Sequence, residues 1–380
     1  MSTRGAHPQL SFSPATDTLE SVGEVEALRR VFPRLPDARA ALLGPGDDSA
    51  VIAAPDARFV VTTDMMIHGP DFRLAWSTPH DLGWKAAVTN LADVAAMGAT
   101  PSALVVAIAA PLHTPVATLE GIADGLHDAC AELAPDTGVV GGDLSVSNTL
   151  TLAVTAFGDL DGRPPVVRSG ARPGDTVAVA GDLGRAGAGI RLLFDQATTP
   201  GAPEAQERHP DAERAPHLDA VGERHPDAEL GRAVRAAHPA IVDAQLAPAS
   251  PLAAGVAAAR AGATAMLDVS DGLVLDAGRI AAASGCSIDF SHAAIEAEAA
   301  ALAAVDAVVG AQARDFVLCG GEDHALLATF TAGSELPPGF RAIGVVRERA
   351  DGHPLVTVGG EAYVKPGGWD PFTDWNGAAG

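Results

Sequence analysis

The segment STPHDLGWKAAVTNLADVAAMGA, residues 77–99, is the most informative stretch of the chain for its fold. A Ser-Thr pair at its start can cap a helix, the proline that follows suits a first helical turn, and Gly98 is a typical stop. The segment therefore predicts a helix over about 79–97. Small and apolar residues recur along it at helical spacing, which predicts a face packed against the protein core.

Asp93 interrupts this small and apolar face. At helical spacing it falls in one row with four other residues, namely Leu82, Ala86, Thr89 and Ala96. A carboxylate on a buried face is costly unless it is paired or bound to a metal. The sequence therefore predicts either a metal ligand or a salt bridge to an arginine at this position.

Strand-like and helix-like segments alternate along the rest of the chain, which predicts an α/β protein. The predicted helices are 20–32, 79–97 and 273–284. The predicted strands are 58–64, 102–111, 149–160, 176–181, 265–269 and the segments around FVLCGG (316–321) and LLATF (326–330).

The Pro- and Gly-rich stretch 161–175 separates these elements into two groups, which predicts a domain boundary. We expect a disordered tail over 1–18, an N-terminal domain over 19–161 and a C-terminal α/β domain over 162–380. A polar stretch at about 198–233 fits neither domain and contains ERHPDAE twice. Two copies are too few for a repeat fold, so we interpret it as a mobile surface insertion.

Composition limits the partners and the compartment. The net charge of −23 argues against nucleic acid, because phosphate backbones are bound through clustered Lys and Arg. The 3 cysteines match no metal or disulfide spacing, which favours a reduced, cytoplasmic compartment. No apolar run reaches the roughly 18 residues that a membrane span requires, so we expect no contact with a membrane.

Aspartates recur where predicted strands end, at Asp64, Asp143, Asp268 and Asp271, and in the loop GPGDDSAVI that contains Asp48. The carboxyl ends of strands are where α/β proteins bind ligands, although any single aspartate can instead be a turn residue or a helix cap. Two carboxylates about 4 Å apart repel by about 4 kcal/mol at an effective dielectric constant of about 20, so a cluster needs cations. All-oxygen ligands favour Mg²⁺, Mn²⁺ or Ca²⁺, and Mg²⁺ held by aspartates points to phosphoryl transfer.

The usual nucleotide-binding motifs are absent from the sequence: neither a P-loop nor the HRD and DFG motifs of protein kinases occur. The glycine-rich segment GDLGRAGAG (181–189) follows a predicted strand. It could cradle a phosphate or form a tight strand-to-helix turn.

Taken together, the motifs resemble those of the thiamine-monophosphate kinase family, in the PurM-like superfamily of aminoimidazole ribonucleotide synthetase. Between about 40 and 330 they occur in the family's order as GPGDDSAVI, VTTD, DLGWKAAVTNLADVAAMGA, VVGGD, RSGARPGD, DVSDGL and CGGED, and GGWDPF follows near the C-terminus. The resemblance implies a two-domain PurM-like α/β fold that forms a homodimer by pairing N-terminal sheets. It also implies ATP and several Mg²⁺ ions between the domains, and transfer of the ATP γ-phosphoryl group to thiamine monophosphate.

The resemblance further implies roles for individual residues. The metal ligands would be Asp48, Thr62, Thr63, Asp64, Asp93, Asp143, Asp268 and Asp271. The nucleotide contacts would be Gly142, Asp143, Arg168 and Ser270, and the thiamine part would be contacted by Glu322 and Trp369.

Two positions depart from the family pattern. The family has a substrate-contacting His in a G-x-H-F segment, whereas GPDF here places Asp71, and His68 could substitute for that His. Asp71 could attract the cationic thiazolium ring, or it could be a surface residue of a G-P-D turn. The family's GGEDYEL is GGEDHALL here, with His324. Alternative functions are another PurM-like ATP-dependent enzyme of the aminoimidazole ribonucleotide synthetase type, or a catalytically inactive nucleotide-binding homologue.

Overall fold

A computed structural model describes residues 11–14, 16–44, 49–200, 224–349, 352 and 354–363. Two short helices, a 3-10 turn and a small hairpin precede the first large sheet. These elements are α1 (Leu19–Val22), α2 (Glu24–Val31), the 3-10 helix Phe32–Arg34, β1 (Ala41–Leu43) and β2 (Val51–Ile52).

A four-stranded sheet with two long helices on one face forms the first domain. Its elements are β3 (Val60–Ile67), α3 (Pro79–Ala96), β4 (Thr100–Ala110), α4 (Val116–Leu133), β5 (Gly138–Val146) and β6 (Thr151–Asp159). The strand order is β3-β6-β4-β5, in which β4 and β5 run parallel and the other neighbours antiparallel. Helices α3 and α4 are so close that a side chain at Gly83 or Gly125 would collide with the opposite backbone.

A seven-stranded sheet with helices forms the second domain. The elements of this half of the chain are β7 (Thr176–Ala180), α5 (Arg185–Gln196), β8 (Thr198–Pro200), β9 (Arg224–Pro226), α6 (Ala228–Ala237), α7 (Pro239–Leu246), α8 (Leu252–Arg260), β10 (Ala265–Val269), α9 (Leu273–Ser284), β11 (Cys286–Phe290), α10 (His292–Ala303), α11 (Ala307–Gly310), α12 (Ala313–Cys319), β12 (Ala325–Phe330), β13 (Phe340–Glu348), β14 (Val356–Val358) and β15 (Glu361–Ala362). The strand order is β10-β12-β7-β13-β11-β14-β15, and β8 pairs with β9 in a separate ribbon. The α/β class predicted from the sequence is confirmed.

The two sheets have separate hydrophobic cores. One core is built mainly from residues of 19–160 and the other mainly from residues of 171–358. The stretch 161–175, where we predict the domain boundary, begins directly after the first set of residues, and its Ala171 already belongs to the second core.

Helix α3 joins the two domains. Thr78 and Asp81 exchange side-chain and backbone hydrogen bonds in a capping box that starts the helix, and the helix predicted over 79–97 is confirmed. One side of α3 covers the first sheet. On another side α8 of the second domain comes so close that a side chain at Gly255 would meet the carbonyl group of Ala95.

Two predicted elements are wrong. The segment FVLCGG is not a strand, because its first four residues end helix α12. The helix predicted over 20–32 is broken at Gly23, whose φ of 76° is unfavourable for other residues and separates α1 from α2.

The strands that carry Asp64 and Asp143 continue beyond these residues, to Ile67 and Val146. Neither aspartate therefore ends a strand, contrary to the prediction. Asp268 lies one residue before the end of β10, as predicted.

The predicted disordered tail over 1–18 differs from the structure in its described part. Glu120 is buried on α4 and accepts hydrogen bonds from the Ser13 backbone N–H and hydroxyl, both at 2.7 Å. Arg34 donates to the Ser11 carbonyl oxygen at 2.8 Å. The chain is therefore bound to the first domain from Ser11 onward, and residues 1–10 lie outside the described part.

The structure also differs from the predicted mobile insertion over 198–233, because both ends of this stretch form secondary structure. Strands β8 and β9 pair so that Pro200 lies opposite Arg224, and α6 begins at Ala228. Arg235 of α6 donates to Asp81 at 2.8 Å, which fixes this helix to the start of α3. Residues 201–223 lie outside the described part of the chain.

Across the residues that the structure describes, no helix has both the length and the apolar character needed to cross a bilayer.

Two deletions should distinguish the contribution to stability of the packed ends of 198–233 from that of its centre. Replacing 201–223 with a short Gly-Ser turn should leave the Tm within about 2 °C of the full chain, because the paired ends already lie side by side and loop length changes closure entropy slowly. Deleting 198–233 should lower the Tm by several times more, since it removes β8, β9 and the first turn and a half of α6. Equal Tm values for the two deletions, measured by differential scanning calorimetry, would contradict this account.

Candidate active site

Two adjoining cavities lie where the domains meet, and they share Asp93, Arg168 and Asp268. The first, of about 320 Å³, is here named the carboxylate cavity because it is lined by Asp64, Asp71, Asp93, Asp268, Asp271 and Glu322. The second, of about 680 Å³, is here named the apolar cavity because Phe59, Val61, Met97, Pro165 and Met266 line it. The shared residues come from both domains, so the site exists only when the domains are packed together.

Asp93 faces the sheet from α3, as its place in the helical row predicts. It accepts a hydrogen bond from the Thr62 hydroxyl of β3 at 2.8 Å. Burial, followed by the charges of Asp268 and Asp64, raises the pKa of Asp93 to about 7. In the described part of the chain no Lys or Arg forms an ion pair with Asp93, so the salt-bridge alternative has no support there.

Asp64 is positioned by a residue that the sequence did not single out. Its backbone N–H donates to the Asn90 side-chain oxygen at 3.0 Å, and Asn90 is buried in α3 one turn before Asp93. Burial and the nearby carboxylate of Asp268 raise the pKa of Asp64. The signal for Asn90 was a polar residue on an otherwise apolar helix.

Asp268 comes from β10 of the second domain and lies opposite these two carboxylates. Its Oδ2 is 3.1 Å from His324 Nδ1. Burial opposes protonation of His324, but hydrogen bonding and charge attraction from Asp268 outweigh it and raise the pKa of His324. His324 therefore faces the carboxylate cavity at the position where the family motif has Tyr.

Asp271 is partly neutralised inside the protein. Arg279 donates a hydrogen bond to the Asp271 carboxylate at 2.6 Å. The backbone N–H of Asp271 donates to the Asp276 carboxylate at 3.0 Å. Burial raises the pKa of Asp276 to about 6 despite the attraction of Arg279. Arg279 and Asp276, both on α9, thus shape the DVSDG loop and were not predicted.

Ser270 and Arg168 line the carboxylate cavity, as expected for nucleotide contacts. Arg168 also lines the apolar cavity, and within the described ranges it pairs with no carboxylate. Its guanidinium group is therefore available for an anion that bridges the two cavities.

Three other predicted residues do not reach these cavities. The Thr63 hydroxyl donates to the Val154 carbonyl oxygen at 2.9 Å. Gly142 and Asp143 line a different cavity of about 540 Å³ in the first domain. They are on β5, three strands from β3, which is about 14 Å at normal strand spacing. Asp48 and Trp369 lie outside the described part of the chain.

The described carboxylates do not form a closed metal cage. No group of three His, Cys, Asp or Glu side chains within the described residues is arranged to hold one ion. Mg²⁺, however, commonly keeps several waters and shares its remaining positions between one or two carboxylates and substrate phosphates. The open arrangement of Asp64, Asp93 and Asp268 is compatible with ions that are completed by a nucleotide.

Glu322 enters the carboxylate cavity beside a buried lysine. Lys85 of α3 forms an ion pair with Glu322, which holds the pKa of Glu322 below its usual range although burial opposes this. The side-chain amide of Gln245 is oriented so that its oxygen faces Lys85 and its nitrogen faces Ala186. In this orientation the oxygen accepts a hydrogen bond from Lys85 at 3.1 Å, and the nitrogen donates to the Ala186 carbonyl oxygen at 3.0 Å. Lys85 thus connects α3 to the second domain.

Asp71 lines the same cavity and also closes the turn in which it lies. Its carboxylate accepts from the Ile67 backbone N–H at 2.7 Å. Burial raises the pKa of Asp71, and that hydrogen bond opposes the shift. Both interpretations of Asp71 therefore describe part of its environment. His68 packs against Phe72 with ring centres 5.5 Å apart and is not among the residues that line the cavity.

The glycine-rich segment 181–189 does not present an open phosphate cradle. The backbone N–H groups of Gly184 and Ala186, at the start of α5, donate to the Asp323 carboxylate at 2.5 and 2.8 Å. An internal anion therefore occupies the position that a phosphate would take, and the tight-turn interpretation is supported.

The fold and the site place the chain in the class of AIR synthase related proteins. Residues 46–160 match the family model described as "AIR synthase related protein, N-terminal domain". In its architecture the protein is similar to thiamine-monophosphate kinase from Stenotrophomonas maltophilia K279a, with a TM-score of 0.67 and 28% identity over 89% of this chain and 97% of that chain. A complex of AaThiL with AMPPCP and TMP gives a TM-score of 0.63 and 28% identity over 85% and 90% of the two chains.

Sequence comparison is more specific. Thiamine-monophosphate kinase from Mycobacterium tuberculosis is 40% identical over 362 residues, which cover 95% of each chain. The enzyme of that name from Corynebacterium glutamicum is 38% identical over 359 residues, 93% of this chain and 95% of the other. The chain therefore belongs to the thiamine-monophosphate kinase family, as its motifs predicted.

The raised pKa of Asp93 predicts a pH-dependent stability without metal. A carboxyl group with a pKa of about 7 in the folded state and about 4 when unfolded stabilises the fold below about pH 4 and loses this contribution as the pH rises to about 7. In EDTA, the Tm of the parent protein should therefore fall as the pH is raised from about 5 to about 8. The fall in Tm over the same range should be smaller for Asp93→Asn, by about 2 °C or more. Parallel Tm curves for the two proteins would show that Asp93 does not titrate in this range.

Proposed function

We propose that the protein is a thiamine-monophosphate kinase that transfers the γ-phosphoryl group of ATP to the phosphate of thiamine monophosphate. The observation that carries this proposal is the junction of the two cavities at Asp93, Arg168 and Asp268. A donor in one cavity and an acceptor in the other would meet at these residues. The family membership and the AaThiL complex with AMPPCP and TMP support the same pair of substrates.

The apolar cavity suits the nucleoside part of ATP. Phe59, Met97 and Met266 supply apolar surface there, and Arg168 lies at the end nearest the carboxylates. A guanidinium group can bind two oxygens of one phosphate through parallel hydrogen bonds. Arg168 therefore binds and orients the phosphate that is transferred, and Ser270 lies beside it in the carboxylate cavity.

The donor set fits magnesium ions. Asp64, Asp93 and Asp268 offer only oxygen ligands, and Asp271 lines the same cavity. Burial and, after it, the charge of Asp268 raise the pKa values of Asp64 and Asp93. Bound Mg²⁺ supplies neutralisation of phosphate and carboxylate charge. The family resemblance gives several ions as the expectation, with further ligands from Asp48, Thr62, Thr63 and Asp143. Of these, Thr62 lines the apolar cavity beside Asp93, whereas Thr63 and Asp143 line neither cavity.

The carboxylate cavity suits the cationic thiazolium part of the acceptor. Asp71 and Glu322, which do not line the apolar cavity, bring negative charge to the carboxylate cavity, and Lys85 balances only one of these charges. The acceptor phosphate is already ionised at neutral pH, so the transfer needs little general-base help. Orientation of the two phosphates and neutralisation of their charge account for the rate.

A single assay tests the function and separates it from its alternatives. Purified protein with ATP, Mg²⁺ and thiamine monophosphate should form thiamine diphosphate, and Asp93→Asn should reduce turnover by about 100-fold or more while remaining folded. ATP bound without turnover would indicate an inactive homologue. ATP consumed only with another substrate, and no thiamine diphosphate formed, would favour an enzyme of the aminoimidazole ribonucleotide synthetase type.

The charge of Asp71 should contribute to acceptor binding. Asp71→Asn keeps an oxygen that can accept from the Ile67 N–H, so the turn should persist while the charge facing the cavity is lost. We expect the KM for thiamine monophosphate to rise about three- to tenfold with a smaller change in kcat, as for lost uniform binding. An unchanged KM would leave Asp71 as a turn residue only.

We also propose that the protein is a homodimer that pairs its first sheets. The face of this sheet away from α3 and α4 carries exposed apolar side chains, including Val61 (59% exposed), Met65 (57%) and Ile67 (36%).

The wild-type protein should therefore elute with twice the chain mass in light scattering. Met65→Asp should shift it toward the monomer, whereas the control Val25→Asp should not, because Val25 is 83% exposed on α2, away from this face. A monomeric wild type, or a dimer unaffected by Met65→Asp, would contradict the proposed interface.

We propose a cytoplasmic location, supported by the three free cysteines, Cys130, Cys286 and Cys319. The family membership gives no reason to expect nucleic acid or a membrane as a partner.

A further inference from the structure

The turn that carries Glu322 and His324 has an unusual backbone. Both residues have positive φ angles, 69° and 49°, which side chains other than glycine rarely adopt. Both side chains line the carboxylate cavity. A turn in this conformation persists only if its surroundings hold it in place.

Asp323, between these two residues, points the other way. Its side chain is buried and does not line either cavity. Its two carboxylate oxygens accept from the backbone N–H groups of Gly184 and Ala186. Helix α5 has no side-chain cap of its own, because its N-cap residue is Gly184 in the left-handed conformation. Asp323 is therefore the cap of α5.

Two backbone hydrogen bonds hold the other side of the turn. The N–H of Glu322 donates to the Ser270 carbonyl oxygen at 2.7 Å, and that of His324 donates to the Val269 carbonyl oxygen at 2.9 Å. The turn is thus fixed between the end of β10, which carries Asp268, and the start of α5.

The far end of α5 packs on the segment that follows Asp71. Phe194 packs edge-to-face on Trp76 with ring centres 5.0 Å apart, and the Trp76 indole N–H donates to the Ala197 carbonyl oxygen at 3.1 Å. Trp76 lies five residues after Asp71, and its backbone N–H donates to the Arg73 carbonyl oxygen at 3.0 Å. Helix α5 therefore lies between the segment that follows Asp71 and the turn that carries Glu322 and His324.

We propose that Asp323 is a positioning residue that sets the affinity for the acceptor by fixing Glu322 and His324 on helix α5. It does not touch the substrate. This inference rests on the proposed function, because it names how that function's acceptor end is held in shape. It predicts that loss of the cap affects thiamine monophosphate more than ATP, which binds at the opposite end of the site.

Steady-state kinetics of Asp323→Ala and Asp323→Asn test the proposal. Asp323→Ala should raise the KM for thiamine monophosphate by about tenfold or more with the KM for ATP changed less than about twofold. Asp323→Asn keeps one acceptor oxygen, so its KM for thiamine monophosphate should lie between those of Asp323→Ala and the parent. If Asp323→Ala does not fold, the same comparison of the two KM values is made on Asp323→Asn alone.

A matched control is Ser291→Ala. Ser291 caps α10 in the same domain by accepting from the Ala294 N–H at 3.4 Å, and it lines neither cavity. It should lower the Tm without changing the KM for thiamine monophosphate. Hydrogen exchange at Gly184 and Ala186 reports the Asp323 cap directly and should accelerate in Asp323→Ala.

The outcomes separate the two claims. If the wild type makes no thiamine diphosphate, the proposed function fails. If the wild type is active and exchange accelerates but both KM values change equally or not at all, Asp323 is only a helix cap and the inference is overturned.

Discussion

The repulsion among carboxylates gathered at the junction of the two domains is the constraint on which the site depends. Asp64 and Asp93 come from the first domain and Asp268 from the second, and burial together with this repulsion raises the pKa of Asp93 to about 7. At an effective dielectric constant of about 20, two such charges about 4 Å apart repel by about 4 kcal/mol. Bound cations would neutralise them, so on the proposed function cation binding and domain packing stabilise one another.

Helix α3 makes this junction possible. It packs on the first sheet, on α4 and on α8 of the second domain, so it presents Asp93, Asn90 and Lys85 to the space between the domains. Asn90 positions Asp64, and Lys85 pairs with Glu322. A single helix therefore contacts both Asp64 of the first domain and Glu322 of the second.

Features encoded in short, periodic stretches could be predicted from the sequence: α3, β10, α9 and the inward direction of Asp93. Features set by long-range topology could not. Strand order places Asp143 on β5, away from Asp64 on β3, and FVLCGG forms part of a helix although its apolar run is typical of a strand. The role of Asp323 was also hidden, because its partners at 184 and 186 are far away in the sequence.

The most direct test is where divalent cations bind. Crystals grown with Mn²⁺, a nonhydrolysable ATP analogue and thiamine monophosphate should show anomalous peaks between the two phosphates, with Asp64, Asp93 and Asp268 among the ligands. Phosphates bound at this junction with no anomalous peak near these three residues would contradict the account, because the charge that organises the site would then have no counterion.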